Sequence, residues 1–271
     1  MTTILLHIHD DLGMESRLQA ACDLARAASA HIQCVQVTPM LETIAAGAGD
    51  GLGYAPAIAA ELHAIDETFR TRIEARFAQE DVAWDWRQME GDSLPNLLAA
   101  AKLADVIVAS LPAMGQGGGG DPLPIAADLA LGGRTPVLAV PLAAEGWAVT
   151  GRALVAWDGS PAAAAALRAA VPLLRLAEAV EIVTIGADGA TTFPATDAPA
   201  YLARHGIKAQ LHVRPHGDRT VEAALRDMIT ALRADWVVMG AFGHSRWREL
   251  IFGGVTRSLL RTAPVPLLLA H

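Results

Sequence analysis

The chain has 271 residues, 52% of them hydrophobic, and a net charge of −8. This length suits two domains of roughly 130 to 140 residues better than one, and the apolar content is enough for sizeable cores. The acidic total argues against general nucleic-acid binding. No apolar run approaches the roughly 18 to 20 residues of a membrane span, and the start lacks a basic signal-peptide region. We therefore expect a cytoplasmic protein without membrane contact.

The charge is divided unevenly along the chain. Up to Gly146 there are 8 Lys/Arg and 19 Asp/Glu, a net charge of −11, whereas the remainder has 13 and 10, a net charge of +3. The arginine excess in the second part is compatible with a phosphorylated small ligand. Cys22 and Cys34 show neither a disulfide framework nor metal-ligand spacing, so we interpret them as buried free thiols.

Strands and helices alternate along the second half. The sequence predicts strands at 153–157, 181–185, 209–214, 235–239 and 265–270, and helices at 161–179, 198–204, 221–233 and 254–262. Ser160 and Thr220 are candidate N-caps, and Pro161 suits a first helical turn. This alternation predicts parallel strands with helices on both faces, as in an open doubly wound α/β sheet.

The first half repeats this plan. It has predicted strands at 4–8, 31–37, 82–88, 105–109 and 137–140, and predicted helices at 16–29 and 57–77. Both halves close on a proline followed by apolar residues, and Pro136 aligns with Pro266. We interpret this as an internal duplication with a period near 140 to 150 residues. The predicted domains are residues 1–145 and 150–271.

A glycine-rich pattern follows the fourth strand of the second half. Gly240 and Gly243 are followed after nine residues by Gly253-Gly254-Val255-Thr256. Glycines allow positive φ angles and a close backbone approach, and consecutive N–H groups can form an anion-binding nest. The next helix begins here and adds free N–H groups and partial positive charge. The sequence therefore predicts a phosphate cradle at the carboxyl edge of the sheet.

This spacing, together with Asp158-Gly159-Ser160 after the first strand, strongly resembles the universal stress protein family over residues 152–271. The resemblance implies two tandem Rossmann-like, adenine nucleotide alpha hydrolase-like domains. These domains would form a pseudo-dimer through their last strands, and a further homodimer is compatible with this arrangement. It also implies a stress-response regulatory protein that binds ATP with Mg²⁺ in its C-terminal domain. We identify no catalytic residue, so the chain would be at most a weak ATPase, and no metal ligand is assigned.

The resemblance also implies which residues hold the nucleotide. The expected ATP-binding residues are Ala156, Asp158, Ile185, Met239, Gly240, Gly243, Gly253, Gly254, Val255 and Thr256. Arg246 and Arg248 could meet phosphate oxygens. Many family members have serine where this chain has Gly254, so a hydroxyl donor is lost while the backbone N–H remains.

The first half lacks this pattern. No G-x-x-G follows Ala109, and Leu123-Pro124 align with Gly253-Gly254. Proline has no N–H to offer a phosphate. The run Gly117 to Gly120 is followed by Asp-Pro instead of Lys-Ser/Thr, so it is no P-loop. We expect a degenerate domain in which Asp10 or Asp11 stands in the place of Asp158.

Other interpretations stay open. The chain could be a structural or interaction protein with a vestigial nucleotide site, or an adenylating or nucleotide-transfer enzyme of related architecture. A metal site at His7, His9, Asp10 and Asp11 lacks an evident further ligand, and packed histidines explain the pattern better. We interpret His212 and His216 in the same way, and Trp84 and Trp86 as core residues.

Overall fold

The computed structural model describes residues 1–39, 55–112, 124–186, 193–241 and 254–271, with residues 55–60 and 254–257 described by their backbone alone. The first half contains β1 (Thr3–Ile8), α1 (Met14–Ala28), β2 (His31–Thr38), α2 (Ala55–Phe77), β3 (Ala83–Glu90), α3 (Ser93–Ala100), β4 (Val106–Ser110), α4 (Ala126–Gly132) and β5 (Val137–Val140). The second half contains β6 (Arg152–Ala156), α5 (Pro161–Leu174), β7 (Ala179–Gly186), α6 (Asp197–Arg204), β8 (Ala209–Pro215), α7 (Val221–Ala231), β9 (Trp236–Gly240), α8 (Gly254–Thr262) and β10 (Leu267–Ala270).

The ten strands form one sheet in the order β3-β2-β1-β4-β5-β10-β9-β6-β7-β8. Every neighbouring pair within a half is parallel, as the alternation of strands and helices predicts. The order in each half changes direction next to its first strand, which is the hallmark of a doubly wound sheet. The predicted fold class is therefore confirmed.

The two halves meet through their last strands. β5 and β10 pair antiparallel, with Leu138 directly opposite Leu268. These two leucines occupy the same position in their own halves. Leu138 lies opposite Val108 of the fourth strand of the first half, and Leu268 lies opposite Val238 of the fourth strand of the second half. Each leucine thus faces its own counterpart, and the contact has the self-complementary form of a two-fold interface. The predicted pairing of the two last strands is present within one chain.

An aspartate that precedes the fourth strand shows how closely the halves repeat. Asp105 accepts hydrogen bonds from the backbone N–H groups of Thr2 and Thr3, at 2.6 and 3.0 Å. Asp235 accepts one from the N–H of Arg152, the counterpart of Thr3, at 2.6 Å. Each carboxylate thereby fixes the entry of its first strand into the sheet.

The spacing between the halves is not constant along the chain. Ile4 lies opposite Val106 as Ala153 lies opposite Trp236, so the offset falls from 149 residues at the first strands to 130 at the fourth. The first half is the longer one because α2 has 23 residues where α6 has 8. A single period of 140 to 150 residues therefore fits only the first and second strands of each half.

The structure corrects several predicted elements. The helix predicted over 161–179 ends at Leu174, because Ala179 already pairs with Arg152 as the first residue of β7. Helices α3 and α4 were not predicted, and with 8 and 7 residues they are too short to show a clear helical period. The predicted caps are confirmed: the Ser160 Oγ accepts from the N–H of Ala163, and the Thr220 Oγ1 accepts from that of Ala223.

The segment that connects the halves is part of the core. Trp147 and Val149 are buried, and the Trp147 ring meets the ring of Trp236 edge-on with centroids 5.6 Å apart. The backbone N–H of Trp147 also donates to the carboxylate of Asp23 in α1, at 2.8 Å. This segment therefore packs against both halves at once.

The sheet has an apolar core on each face. One face packs against α1, α2, α5 and α6, and the other against α3, α4, α7 and α8, and both cores include residues from the two halves. Cys22 and Cys34 are free and buried, as predicted, and burial raises the pKa of the Cys22 thiol to about 11. No helix in the described part of the chain is long and apolar enough to cross a membrane.

Replacing either leucine at the junction of the halves should destabilise the whole chain. Leu138→Ala and Leu268→Ala should each lower the free energy of unfolding by about 2–5 kcal/mol, because both side chains are fully buried. The double variant should lose less than the sum, since the two residues line the same space. Urea unfolding measures these values, and Leu103→Ala, 91% exposed, is the control with a change within about 0.5 kcal/mol. Strictly additive losses would contradict the shared contact.

Candidate functional site

The carboxyl edge of the second half brings together several predicted site residues. β9, β6 and β7 are neighbours, and Ala156, Ile185 and Met239 lie near the ends of these three strands. All three pack on the sheet face that α7 and α8 cover. Met239 is buried, whereas Ala156 and Ile185 are half-buried at the margin of that core. They form a continuous apolar surface at the edge where doubly wound sheets bind ligands.

Asp158 follows β6 at the same edge and is exposed. Its carboxylate accepts a hydrogen bond from the N–H of Ser160 at 2.9 Å, so it stabilises the turn into α5. Gly159 has a φ of +71° within this turn. Asp158 therefore has a structural role, and its exposed position also leaves it accessible to a ligand.

Gly240, at the end of β9, is required by packing. A Cβ at this position would lie 2.6 Å from the backbone carbon of Ala162 and 2.6 Å from the backbone nitrogen of Ala163. The first turn of α5 thus lies directly against the strand. Only glycine permits this approach, which brings the start of α5 close to the end of β9.

The predicted phosphate-binding residues are described only in part. Gly243, Gly253, Arg246 and Arg248 lie outside the described residues. Gly254, Val255 and Thr256 form the start of α8, as predicted, with their backbone alone described. Because α8 connects the parallel strands β9 and β10, its N-terminus is at the carboxyl edge of the sheet. Its first N–H groups are therefore on the same edge as Ala156 and Ile185.

Phe193 is a residue of this edge that the sequence did not reveal. A Cβ on Gly159 would lie 2.6 Å from the Cγ of Phe193, and the ring meets that of Trp157 edge-on with centroids 6.5 Å apart. An aromatic ring thus covers the turn after β6. In the sequence, Phe193 is only a single phenylalanine among small residues in the loop after β7. This pattern alone predicts no contact with the turn after β6.

The matching edge of the first half is built differently. By strand register the counterpart of Asp158 is His9, but Asp11 repeats its turn contact by accepting from the N–H of Gly13 at 2.8 Å. The glycine that allows the close contact between strand and helix also lies at a different position in the first half. Ser110 stands where Gly240 stands, and a Cβ on Gly13 would lie 2.4 Å from the Ser110 Oγ. The close contact between strand and helix is retained, with the glycine on the helix side.

A buried arginine fills the crevice between β1 and β4 in the first half. Arg17 is fully buried and donates to the backbone oxygens of His7 and His9, at 2.7 and 2.6 Å. Its Nη1 also donates to the Asp11 carboxylate at 2.7 Å and to the Ser110 Oγ at 2.8 Å. The guanidinium is thus engaged by protein groups at the place where a doubly wound half can receive a ligand.

The Asp11 carboxyl is held ionised by this network. Its burial raises the pKa, but the hydrogen bonds from His9 and Arg17 outweigh that effect and lower the pKa to about 2. Burial, followed by the charge of Arg17, lowers the pKa of His7 well below its usual value. Asp11 and Arg17 therefore form a buried ion pair that fixes the start of α1.

The remaining candidates have structural partners. His212 and Arg152 contact the Glu181 carboxylate at 2.7 and 3.0 Å, and His216 faces the backbone oxygen of Gly217. In the described part of the chain no three His, Cys, Asp or Glu side chains are placed to share a metal ion. Trp84 stacks on Phe77 with centroids 5.1 Å apart. Trp86 also packs against the core, and the guanidinium of Arg70 lies over its ring.

Residues 150–271 match the family model described as the universal stress protein family. The second half of the chain is therefore similar to this family. A universal stress protein of Mycobacterium tuberculosis is 36% identical over 74 residues, which cover 27% of this chain and 25% of that relative. The chain thus matches only a quarter of the length of its curated relatives. The resemblance identified for the second half is confirmed.

Solved structures extend the likeness to the whole fold. A universal stress protein from Archaeoglobus fulgidus superposes with a TM-score of 0.77 at 16% identity, covering 99% of this chain and 97% of that one. A Pseudomonas aeruginosa protein gives a TM-score of 0.59 at 16% identity, covering 100% and 93%. At such identities the likeness shows the fold alone, and it includes the first half, where the universal stress protein glycine pattern is missing.

Adding a methyl group at the end of β9 should disturb the contact between β9 and α5. Gly240→Ala should lower the free energy of unfolding by about 1–3 kcal/mol, because α5 must move away from the strand. Urea denaturation measures the loss. Ala203→Ser, which also adds one heavy atom but at an exposed helical position, should change stability by no more than about 0.5 kcal/mol. Equal effects of the two substitutions would show that the strand-helix contact is not tight.

Neutralising Asp11 should cost stability in a pH-dependent way. Asp11→Asn leaves Arg17 buried without its counter-charge, so at neutral pH the free energy of unfolding should fall by about 3–5 kcal/mol. Because the folded pKa is depressed to about 2 from about 3.9 in an unfolded chain, the contribution is complete above about pH 4 and is lost as the pH falls through about 2. The difference between wild type and variant should therefore narrow over that range. Asp227→Asn, at an exposed ion pair, is the control, and a difference that stays constant with pH would contradict the assignment.

Proposed function

We propose that this chain is a stress-response regulatory protein that binds ATP in its C-terminal half. The observation that carries the proposal is the shared edge at which Ala156, Ile185 and Met239 form an apolar surface and α8 begins. An adenine ring would lie against that surface. The triphosphate would extend toward the backbone N–H groups of residues 240–256, since helix N-termini and glycine-rich nests favour anions.

The described side chains suit a nucleoside at this edge. Ile185 and Ala156 are half-buried and supply apolar contact, and the exposed carboxylate of Asp158 is placed to accept a hydrogen bond from a base or ribose. We also assign Phe193 to the base-binding side, because it covers the turn that Asp158 begins. Gly240 would contribute indirectly, because it lets the first turn of α5 lie against the end of β9.

The Mg²⁺ that accompanies ATP would be held mainly by phosphate oxygens. Magnesium usually keeps several waters and binds through substrate phosphates with one or two carboxylates. Asp158 is an exposed carboxylate at this edge, and we assign it as the protein group that would contact the ion. The chain's own contribution is to bind and orient the nucleotide, and we assign no residue as a general base, so any hydrolysis would be slow.

The alternative is an interaction protein with a vestigial site. The observation that favours it is that Asp158 and Gly240 both have structural roles, in the turn after β6 and against α5. Their presence alone would therefore not require a ligand. The first half keeps the fold without the glycine pattern, so the architecture does not require that pattern.

Nucleotide content separates the two functions. The purified chain should release ATP or ADP on denaturation, in an amount approaching one per chain, as measured by chromatography and mass spectrometry. Mg-ATP at about 100 times its Kd should raise the free energy of unfolding by about 2.7 kcal/mol. Gly243→Val should abolish both effects, whereas Gly117→Val, in the glycine run of the first half, should change neither. An empty protein whose unfolding ignores millimolar Mg-ATP would support the vestigial site instead.

A further inference from the structure

The first half contains a cleft of its own that the nucleotide proposal does not use. It has a volume of about 590 Å³ and lies where β1, β2 and β3 end, under α2. Its apolar wall includes Ile8, Val37 and Phe69. The volume and the mostly apolar lining are typical of a site for a small organic molecule.

A buried polar group in this cleft has no partner. Gln36 lines the cleft and is only 4% exposed, and its Oε1 accepts no hydrogen bond within the described part of the chain. Buried amide groups are nearly always hydrogen-bonded, so an unsatisfied acceptor beside a cavity indicates a missing donor. The Oε1 itself has almost no exposed surface, so a ligand N–H group within the cleft would reach it once the amide turns toward the cleft.

The charges around the cleft are mainly negative. Three carboxylates line it, those of Asp10, Asp66 and Asp92. Asp10 forms an ion pair with Arg72 at 2.6 Å. The described hydrogen bonds to the other two carboxylates come from neutral groups. Asp66 accepts from the Thr38 hydroxyl at 2.5 Å, and Asp92 accepts from the Leu94 N–H at 3.3 Å. Two carboxylates therefore keep a charge that a cation can balance. The net charge of −11 up to Gly146 adds to the same field.

An anionic ligand does not fit these groups. The N-terminus of α3 faces the cleft but already carries the carboxylate of Asp92 as its N-cap. Arg72 is engaged by Asp10 and lies over the ring of Phe69, 4.9 Å from its centroid. Arg17, the buried cation nearest to the end of β1, is bonded to Asp11. A phosphate here would meet like charge, and Pro124 offers it no N–H.

We propose that the first half binds a small organic cation, an ammonium group on an apolar body, in this cleft. The ammonium group lies between Asp66 and Asp92 and donates to the Oε1 of Gln36. The apolar body lies against Ile8, Val37 and Phe69. This site is separate from the proposed nucleotide site, because the two halves pair antiparallel and their carboxyl edges are at opposite ends of the sheet.

Three probes of nearly equal shape test the charge preference. Phenethylammonium, 3-phenylpropanoate and 2-phenylethanol differ in being cationic, anionic and neutral, and each is titrated into the full chain by isothermal calorimetry and saturation-transfer NMR. The cation should bind, at least about tenfold more tightly than either of the others. Its affinity should fall as salt is raised, since exposed carboxylates are screened. No binding of the cation, or equal binding of the anion, overturns the proposal.

Variants place the probe in the cleft. Gln36→Leu should weaken phenethylammonium binding about tenfold, because it removes the acceptor for a charged donor. Gln33→Leu, on the same strand but outside the cleft, should leave the affinity unchanged. Asp92→Asn keeps a good helix cap while removing the charge, and should weaken binding about two- to fivefold. Asp81→Asn, exposed and outside the cleft, is its control.

Folding and nucleotide controls keep the outcomes distinct. Circular dichroism and thermal unfolding of each variant show whether it is folded, and a folded Gln36→Leu or Asp92→Asn variant with wild-type affinity contradicts the assigned site. Gly243→Val should bind phenethylammonium like the wild type. If ATP does not bind, the proposed cation site is therefore still tested by phenethylammonium. If phenethylammonium does not bind, the proposed nucleotide site is likewise unaffected.

Discussion

The antiparallel pairing of β5 with β10 is the contact on which the whole molecule depends. Each of these strands has four buried residues, so alone each would leave an apolar sheet edge open to other chains. Pairing them closes both edges within one polypeptide. The strands left at the outer edges, β3 and β8, are the ones with exposed residues along their length, which is what a stable free edge requires.

The same pairing decides where ligands can bind. Strands run parallel within each half and the halves run antiparallel to each other, so the carboxyl edges face opposite ends of the sheet. The two edges cannot combine into one composite site. A change at one carboxyl edge therefore leaves the other edge undisturbed, provided that the core and the last strand are kept. The shared core around Trp147 and Trp236 holds the two halves together, and this contact does not involve the carboxyl edges in which they differ.

A comparison of the two edges shows how one architecture supports different sites. In both halves the first helix lies directly on the end of the fourth strand, and in both a glycine makes this possible. The glycine is Gly240 on the strand in the second half and Gly13, the N-cap residue of α1, in the first. The first half then inserts Arg17 and Asp11 into the crevice, whereas the second half has the small Ser160 at its helix start. A glycine-rich backbone segment favours an anionic ligand, whereas an arginine that is already paired with Asp11 has no free charge to offer an anion.

The sequence by itself determined the α/β class, the duplication, the last-strand pairing and the residues Ala156, Ile185 and Met239 at one edge. The class and the duplication follow from local rules, namely apolar runs and helix caps at Ser160 and Thr220. The last-strand pairing and the three edge residues were implied by the resemblance to the universal stress protein family, which the glycine pattern carries. Only the tertiary structure decided the end of α5, the short helices α3 and α4, the position of Phe193 and the Arg17–Asp11 pair. Each of these depends on residues distant in sequence, such as the β6 partner that begins β7 or the Ser110 that receives Arg17. Such contacts are set by how strands align in the sheet, which no local pattern specifies.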